Sequence, residues 1–156
     1  MKIYNLKQKQ FLPIDIQTAW DFFSSPENLV KITPAEMRFH IVYQSGELHK
    51  TYGGKIIRYQ LGIFPGLKTN WTTEITHVQE PHYFVDEQRF GPYALWHHRH
   101  FFKEVAGGIE MSDEVNYAIP FGFLGRLANG LFVARQLNRI FSYRFNLLKK
   151  LFPEKT

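Results

Sequence analysis

The chain has 156 residues, no cysteine and a formal net charge of +5, from 19 Lys and Arg against 14 Asp and Glu. This length fits one domain, 1–156, and the lack of cysteine excludes a disulfide framework, thiolate metal ligands and a cysteine nucleophile. Because no run of about 18 apolar residues and no signal-peptide core are present, the sequence predicts a soluble, cytoplasmic protein. Aromatic residues make up 17% of the chain, and this high share needs an explanation.

The first part of the sequence predicts a strand followed by two short helices. Ile3–Leu12 alternates in part between apolar and polar residues, which favours a strand. Asp15 is a residue type that caps helices, so a first helix is predicted over Ile16–Ser24. A second helix is predicted from Pro26, at its first position, to about Ile32.

Six further strands are predicted in the middle of the chain, separated by turns rich in glycine and proline. Short consecutive strands with such turns favour an antiparallel meander, because parallel strands need long crossover connections. The predicted strands are Arg38–Gln44, Lys55–Leu61, Lys68–Val78, Tyr83–Phe90, Leu95–Val105 and Ile109–Ala118.

The hydrophobic period changes near Gly122, where a long helix is predicted to begin and to run to Phe152. The apolar stripe expected to pack on the sheet consists of Leu124, Leu127, Leu131, Ala134, Phe141, Phe145, Leu148 and Phe152. From Gly122 to the last residue the chain carries seven basic residues and one acidic residue, so this part is either a solvated helix face or a contact for an anionic membrane or acidic partner. The order of elements predicts an α+β fold, a single antiparallel sheet of about six to seven strands wrapped around one long helix.

Several short motifs occur in a specific order along the chain. They are Trp20–Leu29 followed by Ile32-Thr33-Pro34, Asp86-Glu87-Gln88 before Gly91-Pro92-Tyr93, Trp96-x-His98-x-His100-x-Phe102, Asp113-Glu114-Val115-x-Tyr117-x-x-Pro120, and Gly122-x-x-Gly125 leading into Phe141-x-x-Arg144. In this order the sequence resembles the SRPBCC superfamily, which has the helix-grip fold and includes START lipid-transfer domains and the polyketide cyclase/dehydratase group. The resemblance implies a cavity between sheet and long helix that takes a hydrophobic or amphipathic small molecule or lipid.

The resemblance leaves the activity open, because the same cavity serves transfer proteins, sensors and enzymes, and some members bind partners or assist assembly. It does suggest a role for the aromatic residues, which can line a cavity wall. The alternative is that they pack a dense core.

A polar cluster is predicted on the inward face of three neighbouring strands. Strand alternation places Trp96, His98 and His100 on one face, and an antiparallel meander brings the strands before and after them alongside. The side chains expected to meet there are Asp86, Gln88, Trp96, His98, His100, Asp113 and Tyr117.

This cluster has three interpretations. The favoured one is a hydrogen-bond network that orients the polar end of a ligand. In the second, the candidate catalytic residues His98, His100 and Asp113 provide general acid/base chemistry for the cyclisation or dehydration that the cyclase branch implies. In the third, the two histidines and an aspartate hold a divalent metal. We predict neither a metal nor a cofactor, and we favour ligand binding without catalysis, with a cyclase/dehydratase-type enzyme as the alternative.

The predicted ligand-binding residues also include two aromatic residues of the C-terminal segment. The full set is Asp86, Gln88, Trp96, His98, His100, Tyr117, Phe121 and Phe141. Phe121 is flanked by glycine and proline, and the apolar turn Gly62–Gly66 is expected at the same rim, so both suit a gate or a transient membrane contact. A nucleic-acid partner is not predicted, because only charge favours one. The sequence does not predict the oligomeric state.

Overall fold

Seven strands form one antiparallel sheet in the computed structural model of the chain, which describes residues 1–64 and 67–154. The strands are β1 Tyr4–Leu12, β2 His40–Gln44, β3 Ile56–Phe64, β4 Leu67–Gln79, β5 Tyr83–Phe90, β6 Leu95–Val105 and β7 Gly108–Ala118. Strands β2 to β7 form a meander, and β1 pairs with β7, which gives the order β1-β7-β6-β5-β4-β3-β2. The predicted antiparallel meander is confirmed.

Two short helices follow β1, as predicted. The elements between β1 and β2 are α1 Ile16–Phe23, α2 Pro26–Lys31 and a 3₁₀ turn, Ala35–Met37. Asp15 caps α1, because its carboxylate accepts hydrogen bonds from the Thr18 backbone N–H at 2.8 Å and from the Thr18 hydroxyl at 2.6 Å. Pro26 takes the first position of α2, where the missing backbone N–H costs no hydrogen bond.

The long helix is interrupted by a π-helical turn. It consists of α3 Gly122–Ala128, the π turn Asn129–Val133 and α4 Ala134–Leu151. A π turn is wider than an α-helical turn, so the residues before it do not continue the apolar stripe of α4. The prediction that Leu124, Leu127 and Leu131 pack on the sheet is therefore wrong, and these side chains are 68%, 51% and 50% exposed.

Helix α3 packs through its backbone, not through its leucine side chains, against the segment that follows β7. Gly125 is buried, and a Cβ at this position would collide with the carbonyl oxygen of Pro120 and come close to Ile119. A glycine permits this close approach because it has no side chain. The leucines of α3 lie on other sides of the helix and face outward.

The sheet buries only its inner face. On α4 the buried side chains are Leu137, Phe141, Arg144 and Leu148, and they cover this inner face. Burial alternates residue by residue along β6 and β7, as expected when one face of an antiparallel sheet packs on the core. The outer face carries charged pairs such as Lys7 with Glu114 and His97 with Glu87. The polar residues predicted to cluster on β5, β6 and β7 are therefore sought on the inner face.

Candidate functional site

A cavity of about 260 Å³ lies between the inner face of the sheet and the helices α1, α2 and α4. Much of its wall is aromatic, formed by Tyr59, Trp71, Phe84, Tyr93, Trp96 and Phe141. Trp71 and Trp96 meet edge to face with ring centroids 5.0 Å apart, which holds both rings against the sheet. This cavity favours the interpretation that the aromatic residues line a cavity wall, and not the alternative that they pack a dense core.

Four ionisable side chains meet in this region, and we call them the His–Asp cluster: Asp86 of β5, His98 and His100 of β6, and Asp113 of β7. The strand register places Asp86 opposite His98 and His100 opposite Asp113. The Nε2 atom of His100 lies 2.9 Å from Oδ2 of Asp86, and its Nδ1 atom lies 2.9 Å from Oδ1 of Asp113. The Nε2 atom of His98 lies 3.1 Å from Oδ1 of Asp113, and its Nδ1 atom lies 3.4 Å from Oδ2 of Asp86. Each imidazole therefore joins the same two carboxylates.

Alternation along β6 is the reason that both imidazoles face inward. Trp96, His98, His100 and Phe102 are all buried, and the residues between them are only partly so. The expected inward face of this strand is therefore confirmed. Side chains two residues apart on a strand start about 7 Å apart, yet the two imidazole centroids are only 3.8 Å apart, because both rings turn toward the shared carboxylates.

The two aspartates are ionised because the histidines stabilise their charge. Burial alone would raise the pKa of Asp113, but hydrogen bonds from His100 and His98 outweigh it and hold this pKa well below its usual range. The pKa of Asp86 is lowered in the same way: burial acts against ionisation, and His100 and His98 favour it. A buried carboxylate stays charged only when such partners compensate for the lost water.

The two histidines differ in protonation. Burial would lower the pKa of His100, but hydrogen bonds to Asp113 and Asp86 raise it to about 9, so this ring is a cation at neutral pH. Burial and the neighbouring His100 cation lower the pKa of His98, so His98 is neutral. A neutral imidazole carries one N–H. The shorter contact assigns it to Nε2, which donates to Asp113, and leaves Nδ1 without a proton facing Asp86.

One charged residue of the site was missed by the sequence prediction. Arg144 of α4 lines the cavity and is only 8% exposed. The signal was present, because Arg144 lies three residues after Phe141 and four before Leu148, on the same buried stripe. An arginine on the buried side of an amphipathic helix needs a counter-charge, and the His–Asp cluster supplies two carboxylates nearby.

Five of the eight predicted ligand-binding residues line the cavity. They are Asp86, Trp96, His98, His100 and Phe141. The structure also brings Asp113, a candidate catalytic residue, into the cluster, but its side chain is only 3% exposed and is not among the lining residues. Asp113 therefore acts on the cavity through the two imidazoles.

The other three predicted ligand-binding residues lie elsewhere. The Gln88 side chain clamps the turn after β5, since it donates to the carbonyl of Tyr93 at 2.7 Å and accepts from its N–H. Tyr117 stacks on Tyr4 with ring centroids 5.5 Å apart and forms no part of the cavity wall. Phe121 is 82% exposed. Pro65 and Gly66 of the expected rim turn lie outside the described residues.

The third interpretation, a divalent metal, can be compared with the donor atoms present. Asp86, His98 and His100 offer ligand atoms that all lie within 4.8 Å of one another. These atoms already form ion pairs and hydrogen bonds within the cluster, and Arg144 adds a positive charge beside them. A divalent cation would have to displace these contacts. The absence of a metal stays a prediction, which elemental analysis of untagged protein would check.

Comparison with known proteins gives matches in structure only. No protein-family model matches the chain, and no curated protein matches its sequence. Protein TTHA0849 from Thermus thermophilus is similar, with a TM-score of 0.70, 14% identity, and coverage of 94% of this chain and 95% of that one. A START superfamily protein from Mycobacterium smegmatis has a TM-score of 0.68 and 11% identity, with coverage of 94% and 98%. The protein Ara h 8.0201 has a TM-score of 0.62 and 11% identity, with coverage of 96% and 99%.

These likenesses extend over nearly the whole chain, so they describe the complete arrangement of sheet and helices. The chain has the fold of these structures, a helix-grip fold like that of the START superfamily protein, and the predicted fold class is confirmed. Sequence identities this low establish the fold alone. Any function must therefore be argued from the cavity and its residues.

Proposed function

We propose that this protein binds a small amphipathic molecule in the cavity between the sheet and α4 and does not change it chemically. The observation that carries the proposal is a cavity of about 260 Å³ whose wall is mainly apolar and aromatic and contains Asp86, His98, His100 and Arg144. Binding sites for small molecules combine an apolar wall with a few polar groups that orient the ligand. Hydrogen bonds and ion pairs within the His–Asp cluster hold these side chains in place, so they form a fixed polar surface for such a ligand.

The volume favours a compact ligand. Ligand pockets commonly measure about 300–1,000 Å³, and this cavity lies just below that range. A molecule with one or two rings fits it better than a lipid with long acyl chains. The broad walls of Trp71, Trp96 and Phe141 suit flat rings, which gain contact area by stacking or edge-to-face packing.

Filling the cavity is expected to abolish binding. Val133 lines the cavity and is half-buried, so Val133→Trp should reduce affinity for the neutral naphthalene dye prodan at least tenfold, with little effect on folding. Leu131→Trp is the matched control, because Leu131 belongs to the same π turn but is 50% exposed. Fluorescence titration measures the affinity, and native mass spectrometry measures the stoichiometry. A wild type that fails to bind prodan, or two variants that bind equally well, would contradict the proposal.

An acid/base enzyme is the second candidate, and one observation favours it. His98 is a neutral imidazole in the cavity wall, next to Asp86, and such a group can remove a proton from a bound carbonyl compound. Aldol-type cyclisation begins with that step. Naphthyl methyl ketone is a suitable probe, because its methyl protons exchange with deuterated water when a base acts on them.

Under the binding proposal, the protein should not accelerate this exchange above the rate in buffer, as followed by proton NMR. Exchange that is faster with the wild type and lost in His98→Asn, while prodan binding persists, would favour the enzyme. The same variant with unchanged exchange and reduced stability would make the histidine structural.

Contact with a membrane surface stays a prediction. Phe121, Phe123 and Leu124 are exposed at the start of α3, and Arg126 lies beside them, so these residues would form such a contact. No helix within residues 1–64 and 67–154 is long and apolar enough to cross a membrane. A partner-binding role, the cytoplasmic location, the single domain and the lack of a nucleic-acid partner also stay predictions.

A further inference from the structure

Arg144 is a buried cation whose hydrogen-bond donors are not all used. It is 8% exposed, and among the described residues its Nε atom has no hydrogen-bond partner. Its guanidinium group lies over the Phe141 ring at 5.2 Å, and no carboxylate of the described residues forms an ion pair with it. A guanidinium has five N–H donors and stays protonated, so unused donors in a buried place cost free energy.

The two carboxylates whose charges act on Arg144 already have other partners. Asp86 and Asp113 each contact both imidazoles of the His–Asp cluster. They stabilise the Arg144 charge through space without a direct contact. Their two negative charges are balanced by the cations His100 and Arg144. The unused donors of Arg144 therefore remain available to a group that enters the cavity, since Arg144 is one of its lining residues.

We propose that the ligand is an amphipathic carboxylate, whose carboxylate group accepts hydrogen bonds from Arg144 and whose negative charge is balanced by a proton taken up at His98. This inference rests on the proposed ligand-binding function and names the chemical class of the ligand. The planar guanidinium matches a carboxylate with two parallel hydrogen bonds. The ring system of the ligand would lie against Trp71 and Trp96.

His98 is the group that can restore the charge balance. It contacts Asp86 of β5, His100 of its own strand and Asp113 of β7, and Arg144 of α4 lines the same cavity. Tyr59 of β3 lies in the same wall and stays neutral, because burial raises its pKa. The two carboxylates and the two cations around His98 cancel in charge, so the charges near His98 do not favour a proton on it. A ligand carboxylate adds one negative charge and makes protonation of the free Nδ1 atom favourable.

The test compares two probes that differ in one group, a naphthalene carboxylate and the matching naphthalene carboxamide. Calorimetry should show that the wild type binds the carboxylate about tenfold or more tightly than the carboxamide, the size expected for a charge-assisted hydrogen bond. Titrations in two buffers of different ionisation enthalpy should show the uptake of nearly one proton per carboxylate bound at neutral pH and almost none for the carboxamide. A role of Arg144 in folding alone would not produce this uptake.

Variants of Arg144 test whether this residue causes the preference for the carboxylate over the carboxamide. Arg144→Gln should lower the carboxylate affinity to about the carboxamide level and abolish the proton uptake, whereas Arg144→Lys should keep part of the preference. Arg139→Gln is the matched control, because Arg139 lies on the same helix with a 74% exposed side chain paired to Glu36.

Wild-type protein that binds both probes equally would overturn the inference, and this comparison needs no variant. A preference for the carboxylate that persists in Arg144→Gln would overturn it as well. Binding of the carboxylate without proton uptake would overturn the role of His98. If prodan binds but neither probe does, only this inference fails. If prodan also fails to bind, the proposed function fails with it.

Discussion

Asp113→Asn is expected to lower the free energy of unfolding by about 3–5 kcal/mol, the range found when one partner of a buried ion pair is removed. Asp113 is almost fully buried and accepts hydrogen bonds from both histidines at 2.9 and 3.1 Å. An asparagine of the same shape keeps the space filled but removes the negative charge. His100 would then hold a buried positive charge compensated by Asp86 alone, or would lose its proton and one hydrogen bond.

Glu114→Gln is the matched control for this variant. Glu114 is the next residue on β7, so its side chain lies on the outer face, where it pairs with Lys7 and Arg99. Ion pairs on the surface contribute little, and we expect a loss of less than about 1 kcal/mol. Urea denaturation followed by circular dichroism measures both variants. Similar losses for the two would mean that the His–Asp cluster does not stabilise the fold.

The fold could be predicted because its elements follow local rules. The turns between β3 and β7 contain glycine or proline, and strand alternation on β6 distinguishes the buried from the exposed side chains without reference to any other strand. The bounds of the strands shifted by a few residues at most. In the same way, Asp15 and Pro26 are residue types that begin helices, and both do so here.

The long helix shows where local rules fail. A period of three and four residues continues across Leu124, Leu127 and Leu131, but the π turn that follows changes the helical phase. No residue type identifies a π turn reliably in a sequence. The buried residue of α3 is instead Gly125, whose backbone closely approaches the Pro120 carbonyl in the segment that leads into the helix.

The residues of the site could be predicted in part, because strand alternation is a local rule. His98 and His100 follow from alternation, and Asp86 and Asp113 follow from the meander, because neighbouring strands bring residues of the same face together. Gln88 and Tyr117 meet the same pattern, yet a turn and an aromatic stack use their side chains. Position on a face therefore predicts where a side chain points, but not which neighbour it contacts.

Protein stability is expected to fall by about 3 kcal/mol between pH 6.5 and pH 9 through the titration of His100. Hydrogen bonds to Asp113 and Asp86 overcome burial and raise the pKa of His100 to about 9, from 6.5 in the unfolded chain. Between these two values the folded state holds a proton that the unfolded state has released. This contribution is therefore complete below pH 6.5 and is lost as the pH rises through about 9.

His98 has the opposite effect on the acid side. Because its pKa is lowered on folding, the unfolded chain binds a proton that folded His98 does not, and stability falls as the pH drops below 6.5. The two histidines together predict a stability maximum near pH 6.5. Two ordinary surface histidines would produce no such maximum.

The variant His100→Gln isolates this contribution, and His97→Gln is its matched control. His97 is the partly exposed residue between Trp96 and His98 on β6, and it pairs with Glu87 on the outer face. Urea denaturation at several pH values should give a flatter stability curve for His100→Gln than for the wild type and His97→Gln between pH 6.5 and 9. NMR titration of the His100 ring checks the raised pKa directly. Parallel curves for the wild type and His100→Gln would mean that His100 is neutral at pH 7, and the charge balance proposed around Arg144 would then fail as well.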